Sequence, residues 1–369
     1  GSTRIYCAVN MSLFFELIRV AVQQQGKLSV NPTAEEWKKL YKEAKRQALV
    51  GVLYSAVEQL PVEQQPPKEV LLPWYVNVQQ IKRFNVQLDK IVPQVVRFFA
   101  DAGWRSVILK GQGVARYYPQ PWLRMPGDID IWVDASRDDI LNLLRQYEEH
   151  ISLYYLHAEF QYFKPAMVEV HFMPSWMSDP FRNMRLQRFF KMHTDEQMSH
   201  KVNWGSEPNL VAVPTNEFNA LFLLLHIYRH FFDEGIGLRQ LMDYYYVLRN
   251  GITGKERDEV VKMIKKMGLE RFTGAVMYIL CQVFGMDEKN CLLCPDKREG
   301  KFLLKEVLLA GNFGHFDSRL LRKDKETRAD HFVRRVKRNL RFWRGYPREV
   351  FSIPLFKVWH TCWRKYHGY

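Results

Sequence analysis

Apolar positions recur at helical spacing through the first hundred residues. Leu13, Phe14, Leu17, Ile18 and Val22 share one stripe, which predicts a helix over residues 10–26. Pro32-Thr33 opens a second helical segment, with Glu35 and Glu36 in its first turn. Residues 61–67 read as a loop. A long helical pattern follows from Lys68 to about Ala102, with breaks expected at Pro73 and Pro93. The period then shortens to two. Ser106 to Leu109 is a short strand, Lys110-Gly111-Gln112-Gly113 a turn, Val114 to Tyr118 the start of a short helix, and Asp128 to Val133 a second strand. Ser136 caps a helix to about Glu148. Ala158 to Phe163 and Met167 to Phe172 are further strands. The last sets Val168, Val170 and Phe172 on one face and Met167, Glu169 and His171 on the other.

Beyond Pro214 the helical period returns. Thr215 caps a helix to about Phe232 that is apolar nearly all round and is therefore expected to be buried. Gly235-Ile236-Gly237 is a tight connection to a helix from Leu238 to Leu248, and helical patterns continue through 255–284 and 300–310. Residues 326–345 are amphipathic, with Phe332, Val336, Leu340 and Trp343 on one face. The order β–α–β–α–β–β in the middle is that of a small mixed sheet, so the class is α+β. Four segments are expected: a helical region over 1–102, a sheet core over 103–214, a helical domain over 215–315 and a basic tail over 316–369.

Composition adds three constraints. The 369 residues have the apolar and charged fractions of a globular protein, and no apolar run matches a membrane span. The N-terminus lacks a signal-peptide pattern, and the five scattered cysteines argue for a reducing compartment, hence a cytoplasmic location. The net charge of +14 is concentrated: residues 319–365 hold fifteen Lys and Arg against four Asp and Glu. Nucleic acid, an anionic membrane surface or an acidic protein is the expected partner of such a tail, and the membrane alternative would make the protein peripheral there. The aromatic stretch from Phe351 to Trp363 suits either a membrane surface or packing on its own domain. Cys291 and Cys294 form a lone C-x-x-C, expected to be ordinary thiols because no second ligand pair is visible.

The candidate chemistry lies in the sheet. Asp128 and Asp130, one residue apart on a strand, point the same way with Cα atoms roughly 7 Å apart. Two carboxylates so placed need compensating positive charge, and Mg²⁺ is the common answer in phosphate chemistry. Glu169 joins them if its strand is a neighbour. Gly111 lets backbone approach a phosphate, and the helix after the turn offers free N–H groups. Lys110 either adds charge against a triphosphate or neutralises the aspartates. Arg124 either contacts phosphate or pairs with Asp128. On the buried helix, Asn219, His226, His230 and Asp233 form one polar stripe that must be satisfied, either at a cleft or in a packed network with Arg239 and Asp243. Arg239, just after Gly237, marks an anion site at a helix start or an ion pair with Asp243.

The ordered set Leu109-Lys110-Gly111, Tyr118-Pro119, Arg124 with Gly127-Asp128-Ile129-Asp130-Ile131, Val168-Glu169-Val170-His171, His226 and His230, and Gly235 through Arg239 to Asp243 resembles the bacterial, largely uncharacterised nucleotidyltransferase family. That family falls within the polymerase-beta-type superfamily, and the resemblance spans roughly residues 40–310. It implies a small mixed-sheet nucleotidyltransferase core between helical segments. It also implies two Mg²⁺ ions, Mn²⁺ being an alternative. Asp128 and Asp130 would bridge both ions and Glu169 would hold the catalytic one. Lys110, Gly111, Gly113, Arg124 and Arg239 would contact the nucleotide, and His171, His226, His230 and Asp243 would wall the cleft. One departure is visible: the superfamily's Gly-Ser is replaced by Lys110-Gly111 or Gln112-Gly113, and the gap to Asp128 is long.

The expected activity is transfer of a nucleoside monophosphate from a nucleoside triphosphate to an acceptor hydroxyl or phosphate, with release of pyrophosphate. The rival is a degenerate transferase fold that binds or regulates, in the manner of an antitoxin, using its basic tail to hold nucleic acid, membrane or a protein.

Overall fold

The computed structural model describes residues 2–24, 26–205, 209–317, 319 and 327–366. Residue 25 of the first expected helix and residue 326 of the amphipathic segment lie outside the described residues, as do residues 318 and 320–325 of the basic tail. Four helices come first: α1 (Ser2–Gln23), α2 (Ala34–Arg46), α3 (Val50–Gln59) and α4 (Lys68–Asp101). Thr33 starts α2 with a reciprocal cap, its hydroxyl accepting from Glu36 N while its own N–H donates to the Glu36 carboxylate.

The breaks expected at Pro73 and Pro93 do not occur; both prolines lie inside α4. A helical proline frees the carbonyl four residues earlier. For Pro93 that is the carbonyl of Asp89, and the indole Nε1 of Trp204 donates to it at 3.2 Å. A tertiary donor thus replaces the missing helical one.

The sheet region follows as β1 (Ser106–Ile108), α5 (Gln112–Ala115), β2 (Ile129–Val133), α6 (Arg137–Leu144), β3 (Ser152–Leu153), β4 (His157–Phe160) and β5 (Val168–His171). Its five strands run in the order β1-β2-β5-β4-β3. The central pair, β2 and β5, is parallel, and the outer pairs are antiparallel. One face is apolar. Ile129, Ile131 and Val133 of β2, Val168 and Val170 of β5, and Ala158 and Phe160 of β4 pack with Leu88, Val92, Val95 and Phe99 of α4 and with Ile140 and Leu144 of α6. By strand alternation the other face carries Asp130, Glu169, His157 and His171, with Trp132 at one end packed on Phe218.

A helix, α7 (Pro180–Ser199), and a hairpin of β6 (Lys201–Trp204) and β7 (Asn209–Ala212) lead to the second helical region. It holds α8 (Asn216–Asp233), α9 (Leu238–Arg249), α10 (Gly254–Lys266), α11 (Glu270–Phe284) and α12 (Lys297–Ala310). The pattern over 255–284 is two helices rather than one, parted at Gly268, whose φ is +65°. As expected, α8 is buried along most of its length. It shares one continuous apolar core with α1, α3, α9 and α11, so the two ends of the chain pack together.

The tail is α13 (Arg328–Asn339), a short 3₁₀ turn, and α14 (Pro347–Tyr366). It folds back on the body, and part of its positive charge turns inward. Arg335 and Lys357 both reach Asp233, Arg341 reaches Glu306, and Arg338 donates to the Phe231 carbonyl. On α14 the inner side packs: Phe356 stacks on Trp176 at 4.0 Å. The outer side leaves Phe351, Leu355 and Val358 exposed. Among the described residues, no helix is long and apolar enough to cross a membrane.

Candidate active site

The register of β2 against β5 sets Asp130 directly opposite Glu169. Both stand on the polar face of the sheet. His157 of β4 stands opposite His171 of β5 on the same side. The condition for bringing these carboxylates together, that the two strands be neighbours, holds. Asp128 lies just before β2, open to solvent on one side and turned to the recess on the other, whereas Asp130 is almost fully buried.

Positive charge gathers on these carboxylates. Lys110 Nζ lies 2.8 Å from Asp130 Oδ1 and 4.0 Å from Glu169. His171 Nε2 donates to Asp130 Oδ1 at 3.0 Å and lies 3.3 Å from Glu169. Burial opposes a charge on Glu169, but Lys110 and His171 outweigh it and hold its carboxyl well below the usual range. Asp128 goes the other way. Burial, then the like charges of Glu169 and Asp130, push its carboxyl up to about 6 despite Lys110. The cluster thus holds more negative charge than its side chains neutralise. That excess, with oxygen donors from Asp128, Asp130 and Glu169, fits a divalent cation. His157, Glu169 and His171 also offer ligand atoms all within 4.8 Å of one another, adding nitrogen donors at the Glu169 end.

Gly111 has φ +54°, and a Cβ there would stand 3.0 Å from the carbonyl of Asp128. The turn is therefore pressed against the start of β2, which a side chain would resist. The helix after it is a single turn of four residues, so the expected helix-end anion site is not formed. The N–H groups of Gly113, Val114 and Ala115 are spent on Lys110 and Gly111 carbonyls. Gly113 itself is buried against β1, where a Cβ would meet the Ile108 carbonyl at 2.8 Å.

Arg124 does not pair with Asp128. It makes a two-pronged pair with Asp243, Nε to Oδ1 and Nη2 to Oδ2, both at 2.8 Å. Tyr118 adds a third bond, donating to Asp243 Oδ1 at 2.6 Å. Asp243 is thus taken, and the expected Arg239–Asp243 ion pair is absent. The start of α9 is not an anion site either, because Gln240 and Gln47 side chains accept from the N–H groups of Gly237 and Leu238. Arg239 instead extends over Gly127, next to Asp128, with its charge 5.2 Å from the Phe313 ring. It is buried, and no carboxylate lies within ion-pair distance of it among the described residues. Burial, then repulsion from Arg124, lower its pKa to about 10, which leaves it charged.

A recess of about 70 Å³ gathers Lys110, Gly111, Arg124, Asp128, Asp130, His226, Arg239 and Asp243. Most of the residues singled out from the sequence therefore meet at one place. Gly113 does not reach it. The polar stripe of α8 is divided. His226 lines this recess, neutral because burial holds its pKa well below the usual value. His230, its ring 4.3 Å from that of His226, faces a second cavity and donates to Glu234 at 2.5 Å. Asp233 anchors the tail. Cys291 faces Cys281 at 3.5 Å rather than its C-x-x-C partner Cys294, which is exposed.

Two groups went unnoticed in the sequence. His157 lies 3.6 Å from Glu169, and its only signal is its place on a strand opposite His171. Arg229 sits between His226 and His230 in chain order and was masked by the apolar run around it.

No curated protein matches the chain. One solved structure, that of an antigenic nucleotidyltransferase-like protein from Paracoccidioides brasiliensis, aligns over 57% of this chain and 95% of that one, at 11% identity and a TM-score of 0.35. At that distance the likeness carries no argument about the site. A family model does match, over residues 33–285, from the second helix through the sheet and its carboxylates to the end of α11. The chain belongs to the family described as uncharacterised nucleotidyltransferases.

Proposed function

We propose that the protein is a divalent-metal-dependent nucleotidyltransferase of the polymerase-beta type. It moves a nucleoside monophosphate from a nucleoside triphosphate to an acceptor and releases pyrophosphate. The observation that carries the reading is the pairing of Asp130 with Glu169 across parallel strands, beside a recess that also holds Asp128, Lys110 and Arg239, whose charge has no carboxylate against it among the described residues.

Asp128, Asp130 and Glu169 are the residues that would hold Mg²⁺ or Mn²⁺, with His157 and His171 as further donors at the Glu169 end. Such an ion supplies Lewis-acid polarisation of a phosphoryl oxygen and lowers the pKa of a bound hydroxyl. The side chains supply the rest. Arg239 offers a desolvated guanidinium to a phosphate oxygen at the Asp128 end of the recess. Lys110, already on Asp130, adds a second positive charge there. His171 fixes the rotamer of Asp130 by its bond to Oδ1 and so acts as a positioning residue. His226 presents a neutral imidazole to the wall opposite the carboxylates.

The test is a titration of the whole chain with each of the four ribonucleoside triphosphates, with and without Mg²⁺ or Mn²⁺, followed by a pyrophosphate-release assay. Cation-dependent binding of a triphosphate supports the reading. Absence of such binding for all four, in either metal, overturns it.

A further inference from the structure

Beneath α14 lies a second cavity, about 240 Å³ in volume, between the tail, α8 and the loop before β4. We infer that this cavity is the acceptor subsite, and that it takes a small hydroxylated aromatic acid. The inference rests on the nucleotidyltransferase reading and gives it a substrate class.

Position is the first argument. His157 lines the cavity and lies 3.6 Å from Glu169, so the cavity is one side chain away from the Glu169 end of the carboxylate row. Arg239 and Lys110, the cations suited to phosphate, lie in the smaller recess at the Asp128 end. The edge-on pair His226 and His230 stands between the two spaces, one ring facing each. Two substrates thus have two separate recesses, one at each end of a single row of carboxylates.

Lining chemistry is the second. Trp176 and Phe356 form an aromatic wall, and Tyr155 meets both rings edge-on at 5.5 and 5.3 Å. A flat ring is the natural complement. The charged groups around it are nearly all matched. Asp233 holds Lys357, Glu349 holds Arg182 at 2.6 Å, and Asp179 caps α7. Arg229 is the exception. It lines the cavity, lies 5.9 Å from the Trp176 ring, and donates to His230 Nε2 at 3.3 Å. Among the described residues no carboxylate lies within 4.0 Å of it. A cation so placed calls for an anionic group on the ligand.

Size is the third. At about 30 Å³ per water-sized unit, 240 Å³ holds on the order of ten non-hydrogen atoms. That suits a single substituted ring. In the transfer, the acceptor's hydroxyl oxygen forms the new bond to the α-phosphorus. The bond from that phosphorus to the oxygen bridging to the β-phosphate breaks, its electron pair leaves on pyrophosphate, and the hydroxyl proton passes to water.

Calorimetric titration of the whole chain with three probes of like shape tests this: 4-hydroxyphenylacetate, neutral 4-ethylphenol and cationic tyramine. The acid is expected to bind at least about tenfold more tightly than tyramine and more tightly than 4-ethylphenol. Arg229→Gln should cost the acid about tenfold and leave 4-ethylphenol unchanged, which also shows that the variant is folded. Trp176→Ala should weaken both. Equal binding of acid and neutral phenol, or no binding of the acid in the millimolar range, overturns the inference. So does displacement of the acid by adenosine or another nucleoside, which would make this a base pocket. Triphosphate binding is measured in parallel. If triphosphate binds and the acid does not, the cavity assignment falls alone. If the acid binds and no triphosphate does, it is the transfer reading that falls.

Discussion

Arg124 and Asp243 meet through two parallel bonds of 2.8 Å, although 119 positions separate them in the chain. The pair is buried and joins the loop before β2 to α9, so it locks the floor of the recess to the helical region. Removing one partner leaves the other charge buried alone. Asp243→Ala is expected to cost about 3–5 kcal/mol in a urea titration. Arg124→Lys should recover little of the loss caused by Arg124→Ala, because a point charge cannot make both bonds. A change below about 1 kcal/mol for Asp243→Ala would reassign the pair to the surface class.

Asp130→Asn and Glu169→Gln should each lower nucleotidyl transfer by at least about 10³-fold, roughly 4 kcal/mol of barrier. Both changes keep the size of the side chain, and melting temperature is measured in parallel; Glu169→Gln, which loses a charge that Lys110 and His171 favour, should melt lower yet stay folded at the assay temperature. Retained turnover in either variant would end the assignment of these carboxylates.

Arg239→Gln should weaken triphosphate binding by about ten- to a hundredfold, corresponding to about 1.5–3 kcal/mol for a charge-assisted bond. Fluorescence titration with a labelled triphosphate measures it. Unaltered affinity would place the phosphates elsewhere.

The raised carboxyl of Asp128 has a consequence for stability. Its folded pKa of about 6 lies above the unfolded value, so the folded state binds the extra proton. Stability therefore falls as pH rises from about 4 to about 6, and the penalty is complete above that. Asp128→Asn removes the penalty. In chelator, the variant should melt above the parent at pH 7.5 and not at pH 3.5, by about 1 kcal/mol or less because Asp128 faces solvent. An equal offset at both pH values would contradict the crowding of the three carboxylates.

Asp233 behaves oppositely. Burial opposes its charge, but Lys357 and Arg335 prevail and hold its carboxyl below the usual range. The tether it provides is complete above the unfolded carboxylate pKa, near 4, and is lost as pH falls below it. Hydrogen exchange across 347–366 should rise about tenfold in Asp233→Asn at pH 7, the equivalent of about 1.4 kcal/mol. Unchanged protection would mean that apolar packing alone holds α14.

The sheet was legible because alternation is local. Ile129, Ile131 and Val133 against Asp128 and Asp130, and Val168 and Val170 against Glu169, declare two faces without any knowledge of partners. The buried helix after Thr215 was legible for the same reason. What escaped depends on distant groups. Nothing near Pro93 reveals that Trp204 will cap the freed carbonyl and let α4 continue. Arg239 and Asp243 stand four apart on a helix, which favours a local pair, yet Arg124 wins Asp243 with a better fork. His157 carries no motif; only strand pairing places it beside Glu169. Arg229 interrupts an apolar run, and its significance emerges once the tail has roofed the cavity.

The opposition of Asp130 and Glu169 is a property of backbone alignment, not of either side chain. Were β5 to slide one residue along β2, Val168 or Val170 would stand across from Asp130, and Glu169 would turn into the apolar layer under α4 and α6. The slip that takes Glu169 out of the carboxylate row also buries a charge. Assembly of the site and proofreading of the sheet are then a single event, and a chain that passes one has passed the other.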